Sequence, residues 1–179
     1  MFNFFRKRPR HSFPLQPALA MEVFKSVVSD TEEAYRQAGI TSLDQGEIGA
    51  FGFATVHAFA VVLRDQNDTQ DDLFREQLLQ LMDYVIDRYH EHSLMPREQF
   101  KKLCWSRYPY YFDILLTYLG DTEERKSEYA PIRFMNALNP YFVVGEHRQG
   151  NPSVGQKLIS VLWRNLGRCA DYQNKHRVR

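Results

Sequence analysis

Three side chains near the middle of the chain have the types and spacing of a metal site. Asp83, Asp87 and His90 follow one another at steps of four and three, which places them on one side of a helix. Carboxylate and imidazole groups at such steps bind metals inside helical bundles. The apolar residues between Phe74 and Tyr89 fall on the opposite side, however, and bundle ligands face inward. We therefore predict that the trio lies on a solvated face, and that the chain holds neither a metal nor a cofactor.

His57 and Asp113 are isolated polar residues in the two most apolar stretches of the chain. Asp113 is the only charged residue in 108–120, and His57 is the only charged or imidazole-bearing residue in 48–63. Mutual pairing would offset the desolvation of both groups, and a paired histidine can act as an acid or base. The alternative is a hydrogen-bonded core histidine and a carboxylate that faces water. The sequence leaves open whether His57 and Asp113 form a buried polar pair.

The segment 150–157 partly matches the sequence pattern of a phosphate-binding loop, with two glycines at the spacing of that motif. That motif requires lysine and then serine or threonine directly after the second glycine, where this chain has Gln156 and Lys157. No parallel-sheet unit precedes it. We interpret Asn151 or Ser153 as the cap of a helix instead.

Five aromatic residues occur within eight positions, Trp105, Tyr108, Tyr110, Tyr111 and Phe112. They cannot all point inward from one helix. Tyrosine and tryptophan are enriched in binding hot spots, so Trp105, Tyr108, Tyr110 and Tyr111 are candidate contacts with a protein partner. The alternative is a thick core with a few tyrosines at its edge.

Basic residues concentrate at the two ends of the chain. Residues 1–14 contain four basic and no acidic residues, and residues 152–179 contain six basic residues and one acid. Residues 15–151 contain 13 basic and 21 acidic residues, so the net charge is only +1. The ends and the middle of the chain therefore differ in the sign of their charge.

The last predicted helix carries a basic stripe opposite its leucines. The stripe consists of Lys157, Arg164, Arg168 and Lys175. Such a stripe can bind phosphates of a nucleic acid or the headgroups of an anionic membrane. The alternative is intramolecular, with the basic ends docked on the acidic body.

Hydrophobic periodicity predicts an all-α fold, a single-domain helical bundle of about six helices. We expect a flexible basic arm at 1–14 and one helical domain at 15–179. Helices are predicted at 19–38, 41–64, 71–91, 96–107, 109–119, 128–138 and 153–174, with a break before Pro109 because an interior proline disrupts a helix. The segment 48–63 is apolar on every side, which places it at the centre, and it is too short to span a membrane.

Composition places the chain among ordinary globular proteins, with 44% hydrophobic and 25% charged residues. The two cysteines, Cys104 and Cys169, lie among apolar neighbours and indicate buried thiols in a reducing compartment, so we expect a cytoplasmic protein.

Without a convergent set of polar residues, we expect a non-enzymatic binding or regulatory protein that acts through a protein partner, as adaptors, regulators and immunity-type proteins do. One alternative is a protein that binds an anionic surface, either nucleic acid or membrane, through its basic N-terminal arm and C-terminal helix. The other is a helical enzyme that uses His57 and Asp113. The sequence contains no pattern that indicates an oligomeric state.

Overall fold

The computed structural model describes residues 14–64, 71–90, 95–145 and 151–177. Most of the predicted basic arm, residues 1–13, lies outside this part. The described residues form seven helices: α1 (Pro17–Gln37), α2 (Gln45–Val62), α3 (Asp71–His90), α4 (Arg97–Leu119), α5 (Glu123–Lys126), α6 (Ala130–Phe142) and α7 (Pro152–Arg177). The predicted all-α bundle is confirmed.

Helix α2 lies at the centre of the bundle, as its all-round apolar sequence predicts. It packs against α1, α3, α4, α6 and α7, and most extensively against α4. Ile48, Phe53 and Ala54 point in three directions around the helix axis, and all three are fully buried. None of the helices within the described residues combines the length and the hydrophobicity that a transmembrane span requires.

Small residues let neighbouring helices approach α2 closely. A Cβ atom at Gly49 would lie 2.9 Å from the Phe100 ring and 3.1 Å from the Tyr89 ring. At Gly52 it would lie 3.0 Å from a methyl group of Val28. The close packing offsets the cost of glycine inside a helix, about 1 kcal/mol relative to alanine.

Helix α4 runs unbroken through Pro109, so the predicted division into two helices is wrong. Pro109 lies on the exposed side of α4 and its ring displaces nothing in the core. Cys104 and Tyr111, on either side of the proline, are both fully buried. Their packing holds the backbone helical although one hydrogen bond is lost.

A short antiparallel bridge between Leu43 and Val143 ties the α1–α2 loop to the end of α6. The amide of Asp44 donates to the carbonyl of Phe142 over 2.9 Å, and its side chain accepts from the amide of Glu47. Asp44 therefore caps α2, which begins at Gln45 rather than at the predicted residue 41. This clamp fixes the position at which α2 begins.

Candidate functional site

His57 is half-buried on α2, and its neighbours are aromatic rather than acidic. Its Nδ1 shares a hydrogen bond of 3.1 Å with the Tyr108 hydroxyl, in which the donor depends on the ring tautomer. The imidazole meets the rings of Tyr108 and Phe112 edge-on, at centroid distances of 4.5 and 5.5 Å. Asp113 is one position further along α4 and exposed. Of the two alternatives that the sequence leaves open for His57 and Asp113, the structure therefore shows no buried pair, because α4 turns its aromatic side toward α2 and its carboxylate toward water.

The surroundings of His57 favour its neutral form. Burial lowers the pKa of His57 to about 4. Burial also raises the pKa of Tyr108 to about 12, so the pair is uncharged near pH 7. An acid or base in catalysis needs a pKa near the working pH, and among the described residues no carboxylate contacts His57 to raise its pKa toward that value.

One side of α4 carries a continuous row of apolar side chains, which we call the aromatic strip: Trp105, Tyr108, Phe112 and Leu116. They follow at steps of three and four and so share one side of the helix. The three aromatic residues are half-buried, and Leu116 is 38% exposed. The Trp105 ring packs edge-on against Phe53, 5.2 Å away. The strip therefore has its inner edge in the core and its outer edge at the surface.

Tyr110 and Tyr111 lie away from the aromatic strip. Tyr110 is 38% exposed, and its hydroxyl donates to the carbonyl of Ala137 over 2.6 Å. Tyr111 is fully buried, so it has no surface with which to contact a partner. The four predicted contacts thus separate into a half-exposed pair on the strip, one exposed tyrosine beside α6 and one core residue.

Sequence reasoning missed the principal buried polar cluster, which centres on Glu47. Arg107 Nε donates to both carboxylate oxygens, over 2.7 Å to Oε1 and 3.0 Å to Oε2. The Tyr111 hydroxyl donates to Oε2 over 2.7 Å. Only 7% of the Glu47 side chain is exposed, and the Arg107 guanidinium stacks on the Tyr141 ring at 4.7 Å. We call Glu47, Arg107, Tyr111 and Tyr141 the Glu47 cluster.

The Glu47 cluster joins three helices, α2, α4 and α6. The hydrogen bonds to Glu47 raise the pKa of Arg107, and burial raises the pKa of Tyr111 well above its usual range. Both carboxylate oxygens already accept strong donors, which leaves little capacity for a substrate. A signal did exist in the sequence: Glu47 is flanked by Gly46, Ile48 and Gly49, and an acid that begins so apolar a helix needs a partner.

The basic stripe of α7 lies against α1. Arg164 forms an ion pair with Asp30, Arg168 forms one with Glu22 at 3.1 Å, and Lys157 Nζ donates to Gln37 over 2.6 Å. Lys175 is exposed. Both ion pairs are about half exposed, so water and salt reach them.

The two carboxylates of the trio at the spacing of a metal site, Asp83 and Asp87, form ion pairs with the first turns of α4. Asp83 accepts from Lys101 Nζ over 2.9 Å, and Asp87 pairs with Arg97. The side chain of His90 lies outside the described residues. Among the side chains described, no group of three histidine, cysteine or acidic residues is placed to hold a metal.

The two cysteines pack in the core, and the segment 150–157 provides the cap of α7. Cys104 and Cys169 are buried and free, and burial raises the pKa of Cys169 to about 11. Gly150 lies outside the described residues. Asn151 accepts from the amide of Ser153 over 2.9 Å at the start of α7, as expected for a helix cap.

Comparison of this chain with protein-family models, with curated proteins and with solved structures finds no match to any of them.

Proposed function

We propose that this chain is a non-enzymatic binding protein and that the aromatic strip contacts an apolar surface of a protein partner. The observation that carries the proposal is the exposure of the strip: three aromatic rings and Leu116 form one row along α4 with their outer edges open to solvent. Large aromatic side chains contribute most of the binding energy in protein interfaces when they become fully buried.

The two polar groups of α2 that contact α4 support binding rather than catalysis. His57 is neutral and hydrogen-bonded to Tyr108, and Glu47 is saturated by Arg107 and Tyr111. A catalytic site requires a group with free capacity to donate or accept a proton beside an open cleft. Both carboxylate oxygens of Glu47 already accept hydrogen bonds, and a pKa of about 4 makes His57 a weak base near pH 7.

Position 116 offers the sharpest test, because Leu116 is exposed and its replacement leaves the core intact. A photoreactive amino acid at position 116 should cross-link one partner in cells of the source organism, and mass spectrometry then identifies it. With that partner purified, Leu116→Glu should raise the dissociation constant at least tenfold. The matched control is Tyr129→Glu, since Tyr129 is an apolar side chain, 54% exposed, at the start of α6.

The proposal fails if the purified partner binds Leu116→Glu and wild type equally well, or if Tyr129→Glu weakens binding as much. Circular dichroism and melting of both variants must match those of the wild type, so that a loss of binding reports on the surface alone.

A further inference from the structure

Helices α3 and α4 run antiparallel, and ion pairs join the end of α3 to the start of α4. Two such pairs are Asp83–Lys101 and Asp87–Arg97. From the second pair to the first, a step of four residues back along α3 matches a step of four forward along α4. By the same register, Leu79 is level with Trp105 of the aromatic strip.

Leu79 also points to the side of α3 on which α4 lies. It is about 40° round the helix axis from Asp83, whose carboxylate reaches Lys101. Nevertheless Leu79 is 54% exposed, and Trp105 is only half-buried. If the two helices stayed in contact at this level, these side chains would cover each other. The helices therefore diverge beyond the ion pairs.

The divergence leaves an open groove, which we call the α3–α4 groove. Leu79 forms one wall and the aromatic strip forms the other. Helix α2 forms the floor, where Phe53 packs against Trp105 and His57 packs against Tyr108. The wall of α4 from Trp105 to Leu116 extends over roughly 16 Å, which is about three turns of an α-helix.

The open end of the groove has acidic rims. Asp72 and Glu76 lie within about 60° of the Leu79 side of α3, and all three acids at this end, including Asp113 of α4, are exposed. None of these acids forms an ion pair with a residue that the structure describes. Arg75 is also exposed on this side of α3, so three acids and one base give a net charge of −2.

We propose that the α3–α4 groove binds one amphipathic α-helix of the partner, with apolar residues on its inner face and basic residues beside them. The inference rests on the proposed function, because the aromatic strip is one wall of the groove. A helix that enters such a groove inserts apolar side chains spaced by three and four residues. Its basic residues face the acids of the rims, which favours this partner over an acidic one.

Selection from a phage-displayed library of 16-residue peptides on the full chain tests the class of partner. Enriched peptides should carry apolar residues at steps of three and four with lysine or arginine beside them. The tightest peptide, made synthetically, should become helical on binding, as measured by circular dichroism.

Two leucines of α3 then locate the bound peptide. Leu79→Glu should raise its dissociation constant at least tenfold, because the charge replaces one wall of the groove. Leu73→Glu is the matched control, since Leu73 is 37% exposed and lies about 120° round α3 from Leu79. It should leave the dissociation constant unchanged, and both variants should melt as the wild type does.

The acids of the rim have a separate test. Asp72→Asn combined with Glu76→Gln should raise the dissociation constant of the peptide at least threefold at low salt, and less as salt rises. The control, Glu128→Gln with Asp171→Asn, makes the same change in net charge at exposed acids of other segments.

Several results would overturn the proposal: no enriched peptide, enriched peptides that are acidic or that bind without becoming helical, or equal effects of a variant and its control. A wild-type dimer that Leu79→Glu dissociates in analytical ultracentrifugation would also overturn it, since the groove would then belong to a second copy of the chain. If Leu116→Glu abolishes peptide binding and Leu79→Glu does not, the groove is wrong although the aromatic strip still binds. Failure of the strip itself is measured separately, with Leu116→Glu and the cross-linked partner.

Discussion

The Glu47 cluster shows how one buried carboxylate can organise the contact of three helices. Isolated burial of a carboxylate is costly, and removal of one partner leaves the charge poorly compensated. Here an arginine and a tyrosine from successive turns of α4 reach the same carboxylate, and Tyr141 of α6 covers the arginine. The cluster therefore fixes the rotation of α4 relative to α2.

Removal of the Tyr111 hydroxyl should be costly for this reason. Tyr111→Phe leaves Oε2 of Glu47 with the arginine alone, and we expect a loss of about 1–3 kcal/mol in the free energy of unfolding. The control is Tyr110→Phe, whose hydroxyl bonds to a carbonyl at the surface, where water can replace it. Urea denaturation of both variants measures these losses. Equal losses would show that the buried hydrogen bond stabilises the protein no more than the exposed one.

His57 should make stability depend on pH. Its pKa of about 4 in the fold lies below its ordinary value near 6.5, so the unfolded chain takes up the proton first as the pH falls. The contribution of His57 is therefore fully present above about pH 6.5 and is lost progressively between pH 6.5 and pH 4. His57→Gln cannot titrate in this range.

The measurement is the free energy of unfolding of wild type and His57→Gln at several pH values. Between pH 7 and pH 4, the free energy of unfolding of the wild type should fall by about 1–3 kcal/mol more than that of His57→Gln. A histidine pKa near 6.5 in an NMR titration of the folded protein would contradict this account.

At the scale of helices, α6 and α7 touch through a glycine. A Cβ atom at Gly155 would lie 1.9 Å from the carbonyl oxygen of Pro131, so the two backbones are nearly in contact. Backbone cannot move aside as a flexible side chain can, and any substitution must push the helices apart.

Two glycine substitutions in α7 should consequently have opposite effects. Gly155→Ala should destabilise the protein by about 1–3 kcal/mol through overpacking. Gly167→Ala meets nothing within 4 Å and should stabilise it, by up to about 1 kcal/mol, since alanine is the better helix former. Thermal unfolding of the two variants decides the matter. A stabilising Gly155→Ala would mean that the α6–α7 contact is looser than described.

At the scale of the whole molecule, the opposite charges of α1 and α7 partly neutralise each other. The ion pairs Arg164–Asp30 and Arg168–Glu22 are about half exposed, so each contributes roughly 0.2–1 kcal/mol. They cost little to break. If the basic stripe has an anionic partner, that partner must compete with α1 for these arginines.

Removal of the acids on α1 should therefore expose the stripe to phosphates. Glu22→Gln combined with Asp30→Asn should elute from a phosphate-bearing resin at a higher salt concentration than wild type, because the freed arginines release more counterions. The control, Asp113→Asn with Glu128→Gln, makes the same change in net charge at two exposed acids elsewhere. Equal shifts in both double variants would show that total charge, rather than the stripe, governs binding.

Periodicity in the sequence was sufficient for the all-α fold, the central position of α2 and most helix bounds, because these features depend on side chains three or four positions apart. It was misleading at Pro109, where the local cost of a proline is outweighed by burial of Cys104 and Tyr111 on either side. It also marked the half-exposed aromatic run without separating Tyr111, which is in the core, from Trp105 and Tyr108, which are not.

The tertiary structure alone decided which polar groups meet. His57 and Glu47 both lie on α2, and the sequence suggested Asp113 as the partner of the histidine. The rotation of α4 about its axis instead brings Tyr108 to His57, and Arg107 and Tyr111 to Glu47, with Asp113 outside. One residue along a helix turns a side chain by 100°, so a pairing between helices depends on how the whole core packs. A sequence pattern within one helix carries no information on that angle.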